Sequence, residues 1–458
     1  MSSKPTTSLS SAWLDLGSFA DLDNALYDGP ELLALHSKEI NPVSQFTKIP
    51  VMLKATGQAS SVNYQFPKTA DFAGDTWYEF TTPDIKVNQA NLLNYRIAYT
   101  PNLGHNVCNN VVLQANEIPI VRNLDAVAMD LLSETNLPAG KYEAYMRMIG
   151  NVSTAVTFSH HLPPMKIKKH LHELWFANKG VAQPEQALPL CALKSNTLSL
   201  QAEFIDSLSQ VIRIQQNTAA NPAVDPAVWV DVNPANVNIA TIVTVSGTAG
   251  LAMPVPAVWT TAVLVQADER KQHQTGAKDI VIEQIQSFTG PRVQAGTDRR
   301  TFNFSYPVRY LLFAAMNKTA ADNHYFSNYS SSPSEVQGRG IHPLRKVTLW
   351  YDNNPRLQNF GGDFFAEDEF FAYAERVPEA GKGICLLSYC YRTSAITIDG
   401  SSNYSKLATD LEYEISEVST NSDDAVIQGS TYALEIRAVA LQIIRAESAT
   451  ISFPSFSS

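Results

Sequence analysis

Charge is what this sequence has little of. Asp, Glu, Lys and Arg make up 17% of its 458 residues, against about 25% in an ordinary soluble domain. The hydrophobic share, 45%, is unremarkable and supplies more than one buried core. Sparse charge beside a full apolar complement fits a protein that buries much of its outer surface against partners, because interface centres are depleted in charged side chains. Positive charge is the scarcer sign, and the net charge of −10 argues against whole-chain nucleic-acid binding and against a polybasic membrane anchor. Long apolar runs are missing as well. The longest, around 251–265, is broken by Pro254 and Pro256 and falls short of the roughly 18 residues of a membrane span. Cysteine is rare: Cys108, Cys191, Cys385 and Cys390 form no CxxC pair. They are expected to be free thiols in a chain made inside a cell. The stretch Met1–Ser11 is rich in Ser and Thr and has no apolar segment, so no secretory signal is expected. Disorder is excluded by 20 Phe, 18 Tyr and 6 Trp.

What is present is β-strand pattern. Leu198, Leu200, Ala202 and Phe204 alternate with Thr197, Ser199, Gln201 and Glu203, which puts one side of a strand on a core. Leu411, Tyr413 and Ile415 alternate in the same way, as do Val347, Leu349 and Tyr351. Further strands are expected at 46–54, 94–99, 110–114, 152–158, 258–266, 280–288, 308–315, 384–392 and 433–444. Turn signals such as Pro163-Pro164, Asn353-Asn354-Pro355 and Gly361-Gly362 separate them. Many punctuated strands and few helices read as sandwiches or barrels. Three short helices are expected. One is near the N-terminus, capped by Ser18 and stopped by Gly29. One runs about Leu124–Leu132, with Asp125 in its first turn. One runs Ala267–Gln274, where acidic residues lead and basic ones follow. The last lies between two strand-rich halves and reads as their connection. The stretch 215–256 carries only Asp225 and Asp231 as charges. It is too long for a hairpin loop and reads as a surface excursion with strands of its own, such as Val237–Val245.

Catalytic signatures are absent. There is no phosphate loop, nucleophile elbow or dinucleotide fingerprint. Pro378–Gly383 lacks the first Gly and the Ser/Thr of a phosphate loop and reads as a turn. His160, His161, His170 and His172 cluster in sequence, but zinc needs three or four converging ligands. Lys166, Lys168 and Lys169 crowd them, so polar loop or subunit contact is the reading. The stretch Gly361–Phe371 lacks the pattern of a calcium loop, and its interleaved phenylalanines suggest a docked surface segment. Sequons occur at Asn151, Asn303, Asn317, Asn328 and Asn403; in a chain made in the cytoplasm they are expected to be unmodified. No catalytic, cofactor-binding or metal-binding residue is assigned, and the protein is not expected to be an enzyme.

An ordered set of short segments carries a family resemblance. Trp13-Leu14-Asp15-Leu16 and Ala20–Tyr27 come first, then Phe46–Val51, Ala73-Gly74-Asp75 and Asn102–His105 with Val111–Leu113. Ala187–Leu193, Val258-Trp259 through Arg270, Ile282–Gln286, Pro307–Phe313, Asn317–Thr319, Ser388-Tyr389 and Asn403–Leu407 follow. In this order they resemble the major capsid proteins of nucleocytoplasmic large DNA viruses, of iridovirus type, with the marseillevirus type also possible.

The resemblance implies an all-β tandem double jelly roll: two eight-stranded antiparallel sandwiches with a few short helices. Residues 1–41 would be an N-terminal arm with a short helix, 42–268 the first jelly roll including the 215–256 excursion, and 269–458 the second. Three copies would form a pseudo-hexagonal capsomer of an icosahedral outer capsid, synthesised and assembled in the host cytoplasm. Implied partners are neighbouring capsomers, minor capsid proteins, penton proteins and, indirectly, an internal membrane layer. No cofactor and no direct nucleic-acid contact are expected. A minor capsid or spike protein, and a β-sandwich carbohydrate-binding protein or enzyme, are the alternatives. The last requires a groove with two carboxylates and stacked aromatics; Trp350, Tyr351 and Asp352 are the nearest candidates, and the sequence places no second acid.

Overall fold

The computed structural model describes residues 47–177, 187–193, 196–247, 250–274, 278–332, 341–379, 381–394, 399–406, 408–416, 430–447 and 450–452. The expected N-terminal arm and its helix lie outside the described residues.

Six antiparallel sheets dominate. Residues 47–264 supply four. Sheet I orders its strands Thr47–Met52, Ala257–Leu264, Phe72–Thr81 and Lys166–His170. Sheet II orders Lys54–Gln58, Ser61–Gln65, Leu198–Phe204, Cys108–Ala115 and Ile118–Leu124. Sheet III (Trp229–Val232, Ile212–Asn217, Tyr95–Tyr99) and sheet IV (Val243–Val245, Ile85–Val87, His161–Leu162) are smaller. Residues 278–452 supply two. Sheet V orders Lys278–Val293, Tyr432–Glu447, Pro307–Asn317 and Ile384–Ser388, and Ser402–Asn403 and Thr450–Ser452 pair with two of these strands. Sheet VI orders Gly296–Phe302, Thr409–Ile415, Leu344–Tyr351 and Asn354–Gly361.

Sheet V is covered on both faces, which explains its composition. Val308, Leu311, Phe313 and Ala315 pack with Leu349, Leu411 and Tyr413 of sheet VI in one core. Tyr310, Leu312 and Ala314 face the other way, into the core shared with sheets I and II. A strand buried on both sides cannot alternate, so Pro307–Asn317 is one apolar run with Arg309 inside it. In sheet VI the strand Thr409–Ile415 alternates in full, reading buried, half-buried, buried throughout. The edge strand Ile118–Leu124 packs beside Lys278–Val293, joining sheet II to sheet V.

Several strands run as the alternation predicts, with Leu198–Phe204 matching to the residue. Three segments do not. Val152–Phe158 has strand composition but forms one helical turn, Ser153–Val156. It crosses from the Ala139–Met148 helix, itself not expected from the sequence, to the strand at His161. Gly150 makes that crossing possible. It sits at φ +99, and a Cβ there would lie 3.0 Å from Ile167 Cδ1. Val237–Val245 is mostly helical, because Asn238 caps Ile239–Ile242 by accepting the Ala240 N–H, and only Val243–Val245 is strand. The segment from Leu124 to Leu132 begins as strand and the helix runs longer than expected, Ala126–Asn136, with Asp125 as its N-cap. The Ala267–Gln274 helix stands where its charge order places it.

Candidate functional site

The Ala126–Asn136 helix sits where the two groups of sheets meet, and every residue from Ala128 to Asn136 is buried. A helix buried all round normally has an apolar circumference. This one instead carries polar side chains held by hydrogen bonds and ion pairs. Asp125 accepts the Ala128 N–H at 2.7 Å and also binds Arg437 Nη2 at 2.6 Å, tying the helix start to sheet V. Asp130 accepts from Asn102 at 2.8 Å, from the Tyr329 hydroxyl at 3.1 Å and from His105 Nδ1 at 2.5 Å. Glu134 pairs with Arg376 and Lys382 and accepts from Tyr142. The Glu375 N–H caps the Thr135 carbonyl at 3.2 Å. Five of these partners come from residues beyond 320, so the helix bonds the chain's two sheet groups to each other.

His105 beside Asp130 has the look of a catalytic pair, yet the geometry denies it that role. Burial holds the ring below its ordinary pKa, against the pull of Asp130, so the neutral imidazole donates from Nδ1 to the carboxylate. Nε2 then accepts from the Tyr145 hydroxyl at 2.5 Å. Burial pushes that phenol's pKa well up, leaving the pair no nucleophile to activate. The network continues to Lys169 and Glu173, both with fully buried side chains, 2.5 Å apart. His172 packs edge-on against Tyr145 at 5.1 Å.

The clustered histidines disperse among separate partners. His161 binds Asp84 at 2.5 Å, His170 binds Asp75 at 2.9 Å, and His160 lies near Trp229. Among the described residues no three His, Cys, Asp or Glu side chains converge as a metal-binding set. Lys168 lies 4.4 Å above Trp77, which stacks in turn on Trp259 across sheet I. Gly361–Phe371 folds into a π-helical turn, Phe364–Asp368, followed by the Glu369–Tyr373 helix. Phe365 and Phe370 are buried, and Glu369 accepts the Ser388 N–H at 2.9 Å. In Pro378–Gly383, Lys382 reaches back to Glu134. Trp350 donates to Glu412 at 2.9 Å under Arg299. Tyr351 joins Tyr389 and Tyr404 through their hydroxyls, and Asp352 accepts the Ala408 N–H at 2.9 Å. These groups brace sheet VI rather than line a groove.

The four cysteines are free and buried. Two sequons are structurally closed. Asn317 is fully buried, caps a helix through Oδ1, and donates Nδ2 to the Ser330 and Ser332 carbonyls. Asn328 is 3% exposed and donates to Ser332 at 2.6 Å. A glycan on either amide would remove a buried hydrogen bond and find no space. Peptide mapping of protein from particles is expected to return both asparagines unmodified, and a glycan at either would contradict this packing.

The outer edges explain how the sheets avoid pairing at random. An open strand edge invites another strand, and lysine, arginine or proline on it discourages that. Sheet I ends on Lys48 and Pro50 at one side and on Lys166 and Lys168 at the other. Sheet VI ends on Arg299 and Arg300, and on Pro355 and Arg356.

Comparison with known proteins agrees with this architecture. Residues 38–241 match a family model described as the major capsid protein N-terminus, and residues 269–450 match one described as the large eukaryotic DNA virus major capsid protein. The major capsid protein of Rana tigrina ranavirus is 27% identical over 99% of this chain and 100% of its own length. That of Wiseana iridescent virus is 28% identical over 88% of this chain and 84% of its own. Among solved structures, the PBCV-1 virus capsid model aligns with TM-score 0.66 at 16% identity, covering 91% of this chain and 98% of that one. The Faustovirus major capsid protein aligns with TM-score 0.66 at 11% identity, covering 88% and 91%. At such identities the structural likeness speaks for the fold, the double jelly roll.

Proposed function

The chain belongs to the large eukaryotic DNA virus major capsid proteins, and on that premise we propose that three copies associate as one pseudo-hexagonal capsomer. The protein is structural, a component of the virion capsid into which it assembles. The observation that carries the reading is the ordered match of both family models, one to each group of sheets. The trimer finds support in the low charge. Residues 1–41 act as an arm, 42–268 as the first jelly roll and 269–458 as the second. The gap between the two family matches, which holds the Ala267–Gln274 helix, supports that division. Capsomers contact one another and the minor and penton proteins of an outer shell assembled in the host cytoplasm. Obligate trimers bury large areas and resist dilution. Mass photometry at nanomolar protein should therefore record trimers, and a population of folded monomers would overturn the reading.

A further inference from the structure

The chain carries one arrangement of strands twice, and the contact between the two is made only once within it. Apart from the small sheets III and IV, residues 47–264 enter their sheets in the order I, II, I, II, II, I, II, I, with Lys54–Gln58 and Ser61–Gln65 forming one arm. The main strands of residues 278–447 enter sheets V and VI in the matching order. In each half the strand at one end of the second sheet, Ile118–Leu124 or Asn354–Gly361, leads into a helical segment, Ala126–Asn136 or Phe364–Tyr373. Sheet I is therefore the counterpart of sheet V, and residues 354–373 are the counterpart of 118–136. Within the chain, 118–136 covers the face of sheet V that turns away from sheet VI. Ile285, Val439 and Tyr310, in register across three strands, are buried there. The Gln284 amide donates to the Ile120 carbonyl, the Asn123 amide donates to the Ile285 carbonyl at 3.4 Å, and Arg437 holds Asp125.

The two counterparts are each left open. On the outer face of sheet I, Met52, Trp259, Trp77 and His170 stand in register across all four strands. Met52 is 57% exposed and both indoles are half-buried. On the other counterpart, Phe371 is 84% exposed. The charges beside them are opposite. On sheet I, Glu79 pairs with Lys166 at 3.0 Å and Asp75 with His170 at 2.9 Å. Lys48 stands on the same face, and Lys168, above Trp77, has no carboxylate partner among the described residues. Residues 354–373 expose Arg356 and three acids, Asp363, Glu367 and Asp368, and the last two have no basic partner among the described residues. We propose that residues 354–373 of one copy cover the Met52–Trp259–Trp77–His170 row of a second copy, as 118–136 covers sheet V of its own chain, with Glu367 and Asp368 toward Lys168. This rests on the trimer reading above and names its contact. A chain that makes such a contact internally and carries one open half of it at each end joins head to tail, and three copies close a ring of six alike units.

The test uses the full chain, with a water-soluble carbodiimide that joins an amine to a carboxylate in contact with it. The amide forms between them, and the carbodiimide takes up the water as a urea. Wild-type trimers should give covalent dimers on a denaturing gel, and peptides from the dimer band should join Lys168 to Glu367 or Asp368. K168R keeps the charge but not the amine, so it should remain trimeric and lose that peptide. M52D and F371D each alter an exposed side chain, so each should stay folded by circular dichroism while native mass spectrometry at micromolar protein records monomers. The milder F371S should weaken each contact roughly thirtyfold, as loss of an aromatic anchor does. M52D keeps a sound 354–373 segment and F371D a sound row, so mixing them should give heterodimers with one contact and no rings. Trimers that yield no such peptide, or that M52D and F371D leave undisturbed, would overturn the proposal and leave the trimer reading standing. A peptide joining Lys168 instead to an acid of residues 1–46 would mean that the N-terminal segment covers the row, and would overturn it as well. A wild-type chain that is monomeric would overturn the trimer reading itself.

Discussion

Replacing Arg309 with Met lowers the melting temperature of the purified protein by roughly 3–5 °C. Arg309 lies within the apolar strand Pro307–Asn317 and is fully buried. Its Nη1 donates to Glu283 Oε1 at 2.7 Å, and its Nη2 donates to the Arg392 carbonyl at 2.7 Å. Burial works against the charge, but Glu283 beside it more than compensates and holds the guanidinium above its ordinary pKa. Removing the cation takes from the Glu283 side chain, 4% exposed, its ion-pair partner at 2.7 Å. Breaking one side of a buried pair costs about 3–5 kcal/mol. Replacing both members with apolar groups of similar size removes the buried carboxylate as well, so R309M combined with E283L should melt above R309M alone. Calorimetry on the three variants decides the matter. A single variant within about 2 °C of wild type would mean that water reaches Glu283 and the pair is not sealed.

That pair also shows where sequence reasoning stops. A strand such as Leu198–Phe204 has an apolar face on a core and a polar face on which Gln201 and Glu203 are half-buried, so its period of two is written plainly. Pro307–Asn317 announces only that it is apolar, and its layer between sheet VI and the other core had to be seen. The Ala139–Met148 helix carries no apolar stripe to announce it. Among its residues only Tyr145 is buried, and it is held by contacts with the Lys166–His170 strand. At the end of the Ala126–Asn136 helix, Ser133, Glu134, Thr135 and Asn136 look like solvent-facing residues. Ser133 and Thr135 donate to the Asp130 and Leu131 carbonyls of their own helix, while the basic partners of Glu134 arrive from far along the chain; Lys382 is 248 positions from it. Such partners leave no local pattern. The ordered family segments carried the topology, while the dispersal of the four clustered histidines followed from their separate acidic and aromatic neighbours.

Acid should loosen this protein well before its surface carboxylates titrate. His172 is completely buried and its pKa is lowered to about 3, chiefly by burial. His342, whose Nδ1 accepts the Leu344 N–H, is lowered to about 4 for the same reason. His105 moves in the same direction. All three fold in the neutral form, whereas in the unfolded chain a histidine takes up its proton near pH 6.5. The unfolded state therefore binds more protons as pH drops below about 6.5, and stability falls with it. Each such histidine forfeits roughly 1.4 kcal/mol per pH unit between its unfolded and folded values. The contribution is complete above about pH 7 and is lost from pH 6.5 downward, through about 4 for His342 and about 3 for His172. Glu173, lowered despite burial with the Lys169 ammonium donating to it at 2.5 Å, adds a further loss below its ordinary range. Melting curves from pH 7.5 to 4 should show a steep decline that begins near 6. H342Q keeps a group able to accept the Leu344 N–H but cannot take up the proton. It should start from a slightly lower melting temperature at pH 7.5 and fall less steeply on acidification. A wild-type melting temperature that is level from pH 7.5 to 4.5 would show that these rings are already solvated in the folded protein.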